Sequence, residues 1–251
     1  MVAMQASGMS ACAVTIEKTE ETAMRLKDLS PSEMSDDQKG IYAESVAGKR
    51  GTVVPPLRAW IHAPEMARHA SRLGAFLRYD TSLGPRLSEL AILVTARHWN
   101  AQYEWYAHKK MALAAGLDPN IIAAINHRHV PDFNDRKAQL VYEFSESLHE
   151  NHNVPKLLYD EAVEMLGETG VVELVGLLGY YSLVSMTLNT FEVGLPEGET
   201  SDLVPGSARS YIAESDASIH RRDLVWPEKP AQRHQHRSGR LQRAPASAMS
   251  I

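Results

Sequence analysis

Residues 170–192 read GVVELVGLLGYYSLVSMTLNTFE, apolar nearly all the way round a helix. Such a helix cannot lie flat on the surface of a small monomer. It is either central to a bundle or buried between subunits. Its most apolar part, residues 174–188, is shorter than the roughly 20 residues of a bilayer span. It also contains Ser182, Ser185 and Thr187, which favours a buried helix over a membrane span. Gly176 and Gly179 leave room for a neighbouring helix to approach closely. A homo-oligomer is the expectation, with no membrane partner.

The remaining chain reads as helix too. No stretch alternates apolar and polar residues as a half-buried strand would. Ser30-Pro31 and Ser35 are helix-start signals ahead of a short helix over 36–47. Apolar residues at helical spacing follow over 64–79 and 86–99. Asn100 is a candidate cap for the next helix, which Gly116 ends. Residues 135–150 are amphipathic, with Ala138, Val141, Tyr142, Phe144, Ser145 and Leu148 near one face. The expected fold class is all-α, a bundle of about seven or eight helices. Its helical domain should span 26–196, after an N-terminal arm over 1–25 and before an irregular tail over 197–251.

Charge separates the tail from the body. The chain carries a formal net charge of -5. From residue 206 onward eight Lys/Arg face four Asp/Glu, a net of +4, so the rest carries -9. A solvated basic tail beside an acidic body gives no reason to expect nucleic acid. The single cysteine, Cys12, allows no internal disulfide and no Cys-x-x-Cys pair. Residues 1–21 lack the basic start and apolar core of a signal peptide, so a cytoplasmic location is expected.

The chemistry concentrates in residues 89–108, ELAILVTARHWNAQYEWYAH. Glu104 and His108 stand four apart and share a helix face. A carboxylate beside an imidazole raises its pKa and fixes its tautomer, giving an acid competent near neutral pH. The same spacing also occurs as a plain surface ion pair. On one unbroken helix Glu89 would point about 100° away from His108, so it joins the pair only if the chain bends near Asn100. Arg86 and Arg97 are candidates to hold a carboxylate in a bidentate grip. Neither His127 and His129 nor His149 and His152 have a zinc-like ligand spacing, so no metal is expected. Gly-rich nucleotide loops and a Gly-x-Ser-x-Gly elbow are absent from the sequence.

The stretch ELAILVTARHWNAQYEWYAHKKMALAAGLDPNIIAAI resembles the carboxymuconolactone decarboxylase family, which includes the AhpD-like alkylhydroperoxidases. The resemblance covers about residues 50–195 and is strongest over 86–125. It implies an all-helical, oligomeric AhpD-like protein. In the peroxidase branch a glutamate precedes Cys-x-x-Cys, and a histidine follows four residues later. Glu89 and His108 match the glutamate and the histidine. Ala101 and Glu104 occupy the two cysteine positions, and Tyr103 stands where that branch can carry a further relay histidine. Thiol peroxidase chemistry needs a low-pKa thiolate and a resolving thiol, and these positions supply neither. The decarboxylase branch is closer, since it also lacks the cysteines and keeps a glutamate four residues before the histidine.

That resemblance implies a cofactor-free lyase acting on a small carboxylated lactone or a related product of aromatic ring cleavage. His108 would donate the proton, Glu104 would orient it and Glu89 could complete the relay. Tyr103 or Arg86 could hold a carbonyl or carboxylate. Trp99, Trp105 and Tyr180 would form apolar walls. An isomerase or lactone hydrolase could use the same pair. A non-enzymatic oligomeric binding protein would instead turn Glu104 and His108 to bulk solvent or into a filled core.

Overall fold

The computed structural model describes residues 24–49 and 51–205. Expectations for Cys12, for residues 1–23 and for the tail from 206 onward, with Tyr211, Trp226, His234 and His236, lie outside the described residues. Among the described residues there are eight helices and no strand: α1 (Asp36–Ala47), α2 (Pro55–Trp60), α3 (Pro64–Tyr79), α4 (Pro85–His98), α5 (Gln102–Ala114), α6 (Pro119–Asn126), α7 (Arg136–Asn151) and α8 (Lys156–Thr190). The all-α expectation holds.

Local chemistry sets the starts. Ser35 closes a capping box: its hydroxyl accepts from the Gln38 amide, and the Gln38 side chain accepts from the Ser35 amide at 2.8 Å. Prolines open α2, α3, α4 and α6, where a missing N–H costs nothing. Asp118 and Asp135 cap α6 and α7 through their carboxylates.

The most completely buried helix is α4, and the apolar helix over 170–192 packs against it and against α2, α3, α5 and α7. All of residues 87–97 are buried, packed against α5, α7 and α8. Leu90, Ile92, Leu93 and Val94 have no exposed surface, each contributing about 1.5–3 kcal/mol of burial. In α8, Leu174, Leu177, Leu178 and Tyr181 face this core, but Val172 remains 71% exposed, with Val175 and Met186 also open. By length and composition α8 could cross a membrane, yet 56% of its most apolar window is buried in the fold. Gly176 allows the close packing of α3: a Cβ there would sit 3.4 Å from Leu77 Cδ2. Lys156–Thr190 is two helices joined across a kink at Gly167, whose φ of 73° and ψ of 163° are not helical; the second is the apolar helix expected over 170–192.

Two further features position the site. Asn100 does not cap α5. It ends α4 in the left-handed conformation, with φ 51°. The Ala101 amide donates to Ala96 C=O at 2.9 Å and the Asn100 amide to Arg97 C=O at 3.3 Å, the paired bonds of a Schellman ending. Ala101 then starts α5 without a side-chain cap. The chain therefore turns sharply where the sequence alone left a bend conditional. Residues 201–205, expected to belong to the tail, are instead stitched to the body. Leu203 is buried, Asn126 brackets the strand of chain by bonds to Asp202 C=O and the Val204 amide, and Arg97 donates to Val204 C=O.

Candidate active site

The reversal at Asn100 folds α4 back along α5 and brings Glu89 to His108. His108 Nδ1 lies 2.6 Å from Glu89 Oε2, and its Nε2 lies 2.9 Å from Glu104 Oε1. All three side chains are buried. Nδ1–H donates to Glu89 while Nε2 stands in ion-pair contact with Glu104, and a carboxylate at each side of the ring favours the imidazolium. Burial alone would push His108 down, but the charges of Glu104 and Glu89, reinforced by the hydrogen bonds, overcome it and raise its pKa to about 9. The Tyr181 ring stands edge-on to the imidazole at 5.0 Å.

Glu104 and His108 line a cavity of about 70 Å³, with Val54, Pro55, Pro56, Arg78, Tyr103, Ala107, Met111, Tyr180, Tyr181 and Val184 around it. Glu89 sits behind them and does not line it. A cavity of ~150 Å³ encloses benzene, so this space takes one end of a small molecule. The Tyr181 hydroxyl is raised well above its ordinary value, mainly by burial. Burial, then the adjacent Glu104, raises that of Tyr103. Both phenols therefore stay protonated hydrogen-bond donors at neutral pH.

Of the residues singled out in sequence, His108, Glu104, Glu89, Tyr103 and Tyr180 come together here. Arg86, Trp99 and Trp105 do not line the cavity. Arg86 pairs with Asp135 across to α7. Trp105 is fully buried behind α5, its indole donating to Asp202 at 3.1 Å. One residue along a helix turns a side chain about 100°, so Trp105 cannot share the face of Glu104. Trp99 caps α4 against His98. Arg97 is buried and bonds to Asn100 and Val204. Sequence reasoning missed Arg78, Met111, Tyr181 and Val184. Tyr181 had one signal, its place beside Tyr180 on the apolar helix; nothing distinguished Arg78 from the other arginines.

A second imidazole cluster lies apart from this cavity. His98 and His149 stack at 4.7 Å, and His149 Nε2 meets Thr95 Oγ1 at 2.9 Å. Burial, and then the neighbouring His98, lowers His149 to about 4, so it is neutral and structural. Among the described residues no three His, Cys, Asp or Glu side chains converge as a metal would require.

No family model and no curated protein matches the chain. Solved structures do. The chain resembles the AhpD-core structure of an uncharacterized peroxidase-related protein from Ralstonia eutropha, with 17% identity and a TM-score of 0.57, over 69% of this chain and 93% of that one. It also resembles an uncharacterized peroxidase-related protein from a Silicibacter species, with 12% identity and a TM-score of 0.59, over 72% and 96% of the two chains. At these identities the likeness establishes the AhpD-like helical fold.

Proposed function

Taking the AhpD-like fold as the frame, we propose that this protein is a cofactor-free proton-transfer enzyme, a lyase of the carboxymuconolactone decarboxylase type acting on a small carboxylated lactone. The observation that carries this reading is the buried Glu89–His108–Glu104 relay with two of its members on a cavity wall. A binding protein that had lost its chemistry would not need a carboxylate and an imidazolium aimed at a cavity. Thiol peroxidase chemistry does not fit this site, because Ala101 and Glu104 stand where thiols would be needed.

The geometry changes the roles expected from spacing. Both nitrogens of His108 are occupied, so the group that meets substrate is Glu104. In the forward step the bond to the departing carboxylate breaks and carbon dioxide leaves. Its electron pair passes into the conjugated lactone carbonyl as a dienolate. His108 gives its Nε2 proton to Glu104, and Glu104 delivers it to carbon. Glu89 holds Nδ1 and keeps the ring oriented, and water then restores the proton. Apolar walls from Val54, Pro55, Tyr180 and Val184 disfavour the charged ground state at the leaving end. Incubation with 4-carboxymuconolactone should release carbon dioxide in proportion to substrate consumed. Consumption without carbon dioxide would replace the lyase by an isomerase or hydrolase using the same relay, and no consumption of any ring-cleavage lactone would remove the enzymatic reading.

Self-association is part of the same proposal. Leu73 and Phe76 on α3 and Val172, Val175 and Met186 on α8 are exposed on helices that pack together. Apolar faces of this kind mark interaction surfaces. Sedimentation velocity should give a dimer or larger species that Val175→Glu weakens; a monomer at micromolar concentration would contradict it.

A further inference from the structure

Arg78 is the unexplained cation of this cavity. It sits near the end of α3, half-buried, with its side chain on the cavity wall beside Met111 and Tyr181. Its guanidinium contacts the Met111 sulfur and stands 5.3 Å from the centre of the Tyr79 ring. Both partners are neutral, and a thioether is a weak acceptor. Among the described residues no carboxylate lies within ion-pairing distance of it. The contrast along the same helix is sharp. Arg68 and Arg72 both reach Glu44, while Arg58 reaches Asp28 and Arg86 reaches Asp135. A half-buried guanidinium without an anion is an incomplete arrangement, since its planar fork of donors is suited to a carboxylate.

We propose that Arg78 is the carboxylate anchor of the cavity, holding the carboxylate end of a small planar unsaturated acid in the space it shares with Glu104. The occupant's charge also fits the site. Glu89, His108 and Glu104 together carry one negative charge when the ring is an imidazolium, so an anion is welcome only at the Arg78 end. Val54, Pro56, Tyr180 and Val184 supply apolar walls beside it.

The assignment also specifies which carboxylate is held. An ion pair stabilises a localised carboxylate more than a transition state that disperses its charge, so it retards loss of carbon dioxide. The carboxylate on Arg78 is therefore the one that remains through the reaction. A substrate for decarboxylation must then be a dicarboxylate, whereas a monocarboxylate held here can only undergo proton transfer. This last step rests on the proton-transfer reading of the relay; the anchor itself does not.

The test is a binding measurement that reads no turnover. Crotonate and crotonamide have the same planar skeleton and differ in charge. Titration followed by ligand-observed NMR should show crotonate binding at least ten-fold more tightly than crotonamide. Arg78→Gln should reduce crotonate to the level of crotonamide, Arg78→Lys should retain part of the preference, and Arg86→Gln should leave it unchanged. The preference in the unaltered protein needs no variant, so a misfolded Arg78→Gln does not obscure the result. Equal binding of the two compounds, no detectable binding of either, or undiminished crotonate binding by folded Arg78→Gln would overturn the anchor. Crotonate preference without turnover of any lactone would instead sink the enzymatic reading and leave the anchor standing.

Discussion

His108→Ala should abolish turnover of 4-carboxymuconolactone, and Glu104→Gln should lower kcat by about 10²–10⁴-fold, the range for a positioned acid or base. The two variants interrupt one relay at different points. Alanine removes the store of the proton. Glutamine keeps the shape at position 104 but cannot carry a proton from Nε2 to carbon. Similar losses in both are expected if Glu104 delivers the proton. A Glu104→Gln enzyme with near-normal kcat beside a dead His108→Ala enzyme would return the role of direct donor to His108. Full activity in His108→Ala would end the mechanism. Because alanine leaves two buried carboxylates facing an empty site, far-UV circular dichroism must show the helices intact, and His108→Gln serves as a gentler second variant.

Glu89→Ala should destabilise the fold by about 3–5 kcal/mol, the cost of breaking a buried ion pair from one side. That is a large share of the ~5–15 kcal/mol that holds a typical domain together. Glu89 lies on α4 and its carboxylate meets His108 Nδ1 at 2.6 Å, so no solvent replaces the lost partner. A pH signature separates this loss from a simple packing defect. His108 is raised from an ordinary 6.5 to about 9 in the fold. The stability that this shift contributes is complete below pH 6.5 and disappears as pH rises through about 9. From the size of the shift it amounts to roughly 3 kcal/mol. Urea midpoints of the unaltered protein should therefore fall between pH 6.5 and 9.5, and those of Glu89→Ala should start lower and fall less. A flat profile in the unaltered protein, or a Glu89→Ala midpoint equivalent to less than about 1 kcal/mol of loss, would contradict the buried relay.

Much of this fold can be read before any coordinate. Ser35, Pro64, Pro85, Pro119 and Asp135 each open a helix by local chemistry that needs no tertiary partner. The Glu104/His108 spacing is likewise local. What sequence alone left open depended on how distant segments meet. The role of Glu89 turned on one residue, Asn100, whose side chain suits a cap and a left-handed ending equally well; the packing of α4 against α5 decides between them. Helix 170–192 is strongly apolar, yet α4 is the more completely buried, because residues 87–97 are covered on every side while Val172, Val175 and Met186 leave one face of α8 open. Arg78 and Arg86 are indistinguishable as letters. They differ in that Asp135 pairs with Arg86, while among the described residues no carboxylate pairs with Arg78.

The stitching of residues 201–205 sets a practical limit on shortening this protein. Asp202 receives the Trp105 indole and the Lys109 ammonium, both on α5, about 100° round the helix from Glu104 and His108. A terminus placed at the end of α8 would look harmless by helix count but would remove the rear support of the relay helix. The smallest version that keeps these bonds to α4, α5 and α6 has to extend through Val204.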